Sequence, residues 1–204
     1  MFTGPWAALD VLVLIVGSFL YVAAVMRGIK PRYVIPAVTC ATLALTVWVF
    51  AREERAAYAV GLRWDNFDEC AEWVGPATLI SAVVLVGYGW WSGRALWSWR
   101  LLLLWPLYFL WGLIQQGIFQ GILNRRLQES MPDESWVVPL VVGVVFSLVH
   151  APRWWLVFLT AIIGPVWAAI YCVAPNLFAL ALSHAMLGGL AYFCVAGEDP
   201  LETL

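Results

Sequence analysis

Along this chain, apolar residues come in long blocks and charged residues in the short gaps between them. Runs of about 20 apolar residues are long enough to cross a bilayer as helices. Such runs fall near 6–26, 34–51, 74–92, 101–123, 136–150, 154–174 and 177–196. Every Lys and Arg lies between them, at Arg27, Lys30 and Arg32, at Arg52, Arg55 and Arg63, at Arg94 and Arg100, at Arg125 and Arg126, and at Arg153. The pattern predicts an all-α, polytopic transmembrane bundle of about seven helices. The first run is too long for a signal-peptide core and has no basic stretch before it, so it reads as a retained helix. Pro106 and Pro165 sit inside apolar runs and predict local kinks. The stretch "CVAPN" at 172–176 reads as a tight turn, and the mixed loop 52–73 as an amphipathic surface helix.

Composition agrees with the pattern. Of 204 residues, 63% are hydrophobic and 12% charged, whereas soluble domains run at roughly 45–50% apolar and about 25% charged. Basic residues divide almost evenly between alternate loops, so they do not fix orientation, although the basic gap after the first run favours an outside N-terminus. A net charge of −2 without a long basic stretch gives no reason to expect nucleic acid. The four cysteines show no CxxC spacing and read as small apolar packers. The fourteen tryptophans gather near run ends, as an aromatic belt at the headgroups does. With no internal repeat or low-complexity linker, residues 1–204 read as one integral membrane domain.

Polar side chains inside apolar runs are costly in lipid and usually face other helices or a site. Here they are Asp10, Gln115, Gln116, Gln120, His150, His184 and some hydroxyls. On an α-helix, residues four apart share a face, which stacks Gln116 with Gln120, Gln115 with Phe119, and Phe146 with His150. The plainest reading of the glutamines is amide glue between helices, at about 0.6–2 kcal/mol per bond, with Gly117 and Gly121 permitting close approach. Asp10 reads either as an interfacial residue or as a carboxylate brought to the histidines by packing.

Three stretches, "QQGIFQG" at 115–121, "FSLVH" at 146–150 and "SHAMLGG" at 183–189, occur in an order that resembles the CPBP family. This family includes the type II CAAX prenyl endopeptidases and the bacteriocin self-immunity (Abi) proteins. "GLRW" at 61–64 is similar to the family's lead-in, and the resemblance covers about residues 58–192, behind N-terminal helices at 6–51. It implies a CAAX-protease-like bundle and hydrolysis of a peptide bond by a water held between a glutamate and a histidine. By the resemblance, His150 matches the water-side histidine and His184 the oxyanion-side one. Gln115 and Gln116 stand at the paired glutamates, Gln120 at the arginine and Gly188 at an asparagine. A carboxamide has no protonation state within reach of neutral pH and cannot be a general base. The expectation is therefore a non-proteolytic relative that binds a membrane peptide or partner protein.

Two alternatives stay open, and whether the chain is an enzyme stays open with them. One is His-based chemistry on a lipid or isoprenoid, with Trp111, Phe119 and Phe146 around the substrate. The other is retained endopeptidase activity that recruits Asp10 or Glu72. No cofactor motif is read, and two histidines supply too few ligands for a metal site. Membrane lipids are the expected surroundings, in the cytoplasmic membrane of a bacterium or archaeon.

Overall fold

A computed structural model describes residues 5–29, 31–52, 55–131, 133 and 136–202. Every regular element among them is a helix. The order is α1 (Pro5–Met26), α2 (Pro31–Arg52), the single turn α3 (Ala56–Ala59), α4 (Phe67–Ser92) and α5 (Arg100–Gln116). The helix continues from α5 through a π-wound segment, Gly117–Asn124, into α6 (Arg125–Ser130). Then come α7 (Val137–Leu148), α8 (Trp154–Val173), α9 (Leu177–Leu190), a π-wound turn at Ala191–Ala196 and a 3₁₀ turn at Pro200–Glu202. Each of the seven apolar runs is thus helical. Among the described residues, five helices are long and apolar enough to cross a membrane: Ala8–Met26, Phe67–Ser92, Arg100–Ser130, Trp154–Val173 and Leu177–Ala196. Val137–Leu148 is apolar but shorter. On α4 the side chains of Leu79, Ile80, Val83 and Val84 stand exposed together, a surface suited to acyl chains rather than water.

Two boundaries differ from the expected ones. Among the described residues, the loop 52–73 does not form a surface helix: it holds the one-turn α3, and residues 67–73 open α4. Asp68 and Glu69 look like loop residues in sequence, yet they lie in the first turn of α4, where a helix's partial positive charge favours acids. The long helix runs on from 123 to 130, through six polar residues, Asn124, Arg125, Arg126, Gln128, Glu129 and Ser130, that find partners in the folded chain. Lys30, Glu53 and Glu54 lie outside the described residues. Pro106 and Pro165 sit within α5 and α8, neither of which is interrupted.

The helices group into two compact units. One comprises Met1–Leu62 and Gly117–Pro175, the other Arg63–Gln116 and Asn176–Leu204. In the first, α7 and α8 approach at Gly143, where an added Cβ would collide with the ring of Pro165. Bare residues of this kind let membrane helices pack backbone to backbone. An ionic cluster ties α1, α2 and α6 together in the same unit. Asp10, only 1% exposed, accepts from Arg52 Nη2 at 3.0 and 3.2 Å and pairs with Arg126 Nε at 3.3 Å. Arg126 also donates to Glu129 at 2.9 Å. Asp10 is therefore not presented to water, and arginines hold both of its oxygens.

In the second unit, α9 is fixed at its start by Asn176, which is fully buried. Its Oδ1 accepts from Ala179 N at 3.0 Å and caps the helix. Its Nδ2 donates to Arg63 O at 2.7 Å and Asn66 Oδ1 at 2.9 Å. Further along, Thr78 of α4 gives its hydroxyl hydrogen to Val74 O, so Ser183 is the donor in the 2.6 Å contact between the two hydroxyls.

Candidate functional site

The α5–α9 contact places the first group of candidate residues. The two helices pack antiparallel, with Gly112 against Ala181 and His184, and Gly188 against Tyr108. A Cβ at Gly112 would lie 3.1 Å from Ala181 O and 3.4 Å from His184 Cβ, so a bare residue there sets the helix spacing. One turn later, Gln116 Nε2 meets His184 Nδ1 at 3.3 Å, both side chains being buried. A carboxamide nitrogen only donates, which makes Nδ1 the acceptor in this long hydrogen bond. Gln116 Oε1 and the neighbouring Gln115 Oε1 are buried with no hydrogen-bond partner. At Gly188 the space for a side chain is taken by the Tyr108 ring, 2.9 Å from where a Cβ would be. Trp111 stands exposed on α5.

The second group belongs to the other unit and centres on Phe146. Its ring is fully buried and meets Phe119, His150 and Trp167 edge-on, at centroid distances of 5.2, 5.0 and 5.9 Å. His150 lies in the turn after α7, just before the cis Ala151–Pro152 bond. Its Nδ1 is 2.8 Å from Phe146 O. A carbonyl only accepts, so Nδ1 carries the proton and Nε2 keeps a lone pair. Gln120, fully buried, accepts at Oε1 from Asn124 Nδ2 at 2.8 Å, while its own Nε2 has no partner. Asn124 also donates to Ala168 O at 2.9 Å and accepts from Gln128 at 3.0 Å.

Within the π-wound Gly117–Asn124 segment one four-residue contact persists, between Gln120 and Asn124. The expectation of a Gln116/Gln120 stripe assumed α winding, and π winding bonds each residue to its fifth neighbour, which alters the register. Asn124 was missed because it lies just past the expected end of the apolar run. Its signal was its place four residues after Gln120 on the same helix. Asn176 was passed over as part of a turn, although an asparagine directly before an apolar helix is an N-cap signature. Among the described residues, no three or more His, Cys, Asp or Glu side chains gather where a metal ion would be held.

Residues 97–190, spanning α5 to α9, match the family model described as type II CAAX prenyl endopeptidase Rce1-like. This segment, a little under half of the chain, is similar to the CAAX-protease-like family of membrane proteins. No curated protein and no solved structure matches it. The CAAX-protease-like segment contains both histidines and all three glutamines discussed above, whereas α1 to α4 precede it.

Proposed function

We propose that this CAAX-protease-like chain is a non-proteolytic relative that holds a membrane peptide or partner protein through neutral hydrogen bonds. The reading places it in the cytoplasmic membrane of a bacterium or archaeon. The supporting observation is Gln116, fully buried, with Nε2 bonded to His184 and Oε1 left without a partner. By the resemblance, Gln115 and Gln116 stand where the paired glutamates belong, Gln120 at the arginine and Gly188 at the asparagine. Positioned acid–base catalysis contributes about 10²–10⁴ in rate and an oxyanion donor about 10²–10³. A site without either retains little peptide hydrolysis. What remains is hydrogen-bonding capacity, and an unsatisfied buried carboxamide atom is costly until something occupies it.

A second reading draws on His150, whose protonated Nδ1 leaves Nε2 able to take a proton, as a base acting on a lipid or isoprenoid would require. The observations weigh against a recruited acid: arginines hold both oxygens of Asp10, and Glu72 is exposed on α4.

The test is cleavage of a farnesylated CAAX peptide by the purified protein. The wild-type chain is expected to be inactive, and the combined Gln115→Glu, Gln116→Glu, Gln120→Arg variant to gain at least about 10²-fold. Cleavage by the wild type, abolished in Gln116→Ala, would overturn the proposal. A lipid product formed by the wild type and absent with His150→Ala would favour the second reading.

A further inference from the structure

We infer that Gln116 is a positioning residue that fixes His184 as its Nε2–H tautomer, and that Gln116 Oε1 is the acceptor for an N–H of a peptide backbone. The second half rests on the binding reading above; the first does not.

The geometry comes from the α5–α9 contact. Close approach at Gly112 brings α5 against Ala181 and His184 one turn before Gln116. The Tyr108 ring covers bare Gly188, one turn beyond His184. His184 thus lies between an aromatic ring and a carboxamide. The carboxamide presents its nitrogen to Nδ1 at 3.3 Å. Because that nitrogen has hydrogens and no lone pair to offer, Nδ1 must be unprotonated, and the ring proton of the neutral imidazole resides on Nε2. A glutamate at 116 would impose the reverse, since a carboxylate only accepts and Nδ1 would have to carry the proton. The residue type at 116 therefore decides which face of His184 donates.

The same bond settles what Gln116 has left over. Its Oε1 is buried and unpartnered, and the adjacent Gln115 Oε1 is too. Two uncharged acceptors call for a donor without formal charge. A backbone N–H meets that demand, whereas a cation would find no carboxylate among Gln115, Gln116 and His184.

The chain has two histidines, which makes the tautomer directly measurable. The full chain would be labelled with ¹⁵N-histidine in detergent micelles, and His150→Gln would assign the signals. Expected for His184 is a protonated Nε2 and an unprotonated Nδ1, inverted in Gln116→Glu. A wild-type spectrum with the proton on Nδ1 overturns the inference whether or not the variant folds. The ligand half uses acetyl-Leu-Leu-Leu-methylamide and its singly N-methylated analogues. Methylation at one position is expected to weaken binding about fivefold in the wild type and not in Gln116→Leu. Equal binding of all analogues to the wild type overturns the assignment of Oε1. The expected tautomer with no binding of any analogue would leave the positioning role standing and refute its use in peptide binding.

Discussion

Each compact unit buries a polar group deep among apolar helices, and the two do so differently. Around Asp10 the chain keeps full charges inside, with Arg52, Arg126 and Glu129 arranged so that carboxylates and guanidinium groups meet. Around Gln116 it keeps no charge at all, makes one long bond to His184 and leaves an oxygen without a partner. This chain tolerates buried ions where partners are supplied. The neutrality of Gln115, Gln116 and Gln120 is therefore a local property, not a general consequence of lying in a membrane. Both oxygens of Asp10 are engaged, whereas Gln116 keeps a buried acceptor that a ligand could satisfy.

The largest expected effect comes from breaking the paired side of this comparison. Asp10→Ala leaves Arg126 buried with only Glu129 for an acid among the contacts described above, and removes the carboxylate that Arg52 grips. Losing one partner of a buried ion pair costs about 3–5 kcal/mol. The remaining Arg126–Glu129 pair puts the loss near 3 kcal/mol, measurable as a lower unfolding midpoint in detergent. A loss below about 1 kcal/mol would mean the cluster is not the clamp on α1 and α2 that its geometry describes.

The two sides were not equally legible in the sequence. The seven helices follow from apolar length alone, because lipid leaves a backbone little choice but to satisfy itself internally. The extension through Arg125, Arg126, Gln128 and Glu129 did not follow, since these residues read as a loop until Asp10, more than a hundred positions earlier, supplies a partner. The π winding at Gly117–Asn124 was equally hidden: eight residues are too few for hydrophobic periodicity to separate it from α. The importance of Gln115, Gln116, Gln120, His150 and His184 came from the order of motifs. The bond between Gln116 and His184 depends on how α5 packs against α9, which no local sequence pattern specifies.

A carboxamide in this environment is not functional by default, and Asn176 shows the difference within one unit. Like Gln116 it is fully buried, but all its hydrogen-bonding groups are engaged, with Ala179 N, Arg63 O and Asn66 Oδ1. Asn176→Ala removes a helix cap and strands those partners, for an expected loss of about 2 kcal/mol. Thermal unfolding in detergent would show it. Binding of the capped tri-leucine peptide, measured below the unfolding transition, should be unchanged, and a selective loss of binding with unaltered stability would reverse the assignment.

Gln116→Leu should have the smallest effect on stability and a clear effect on binding. The substitution forfeits one 3.3 Å bond to His184, a modest loss because hydrogen bonds between membrane helices average only about 0.6 kcal/mol. It also removes a buried oxygen that has no partner in the unliganded protein, and eliminating such a group offsets a comparable amount. Leucine is close to glutamine in length and is favoured by apolar neighbours, so the unfolding midpoint should stay within about 1 kcal/mol of wild type. The tri-leucine peptide, by contrast, should bind about fivefold more weakly, since the lost acceptor is the one its N–H needs. A large destabilisation would instead put Gln116 with Asn176 and Asp10 among the residues that hold the helices together, and would remove the physical distinction between a saturated polar group and one awaiting a ligand.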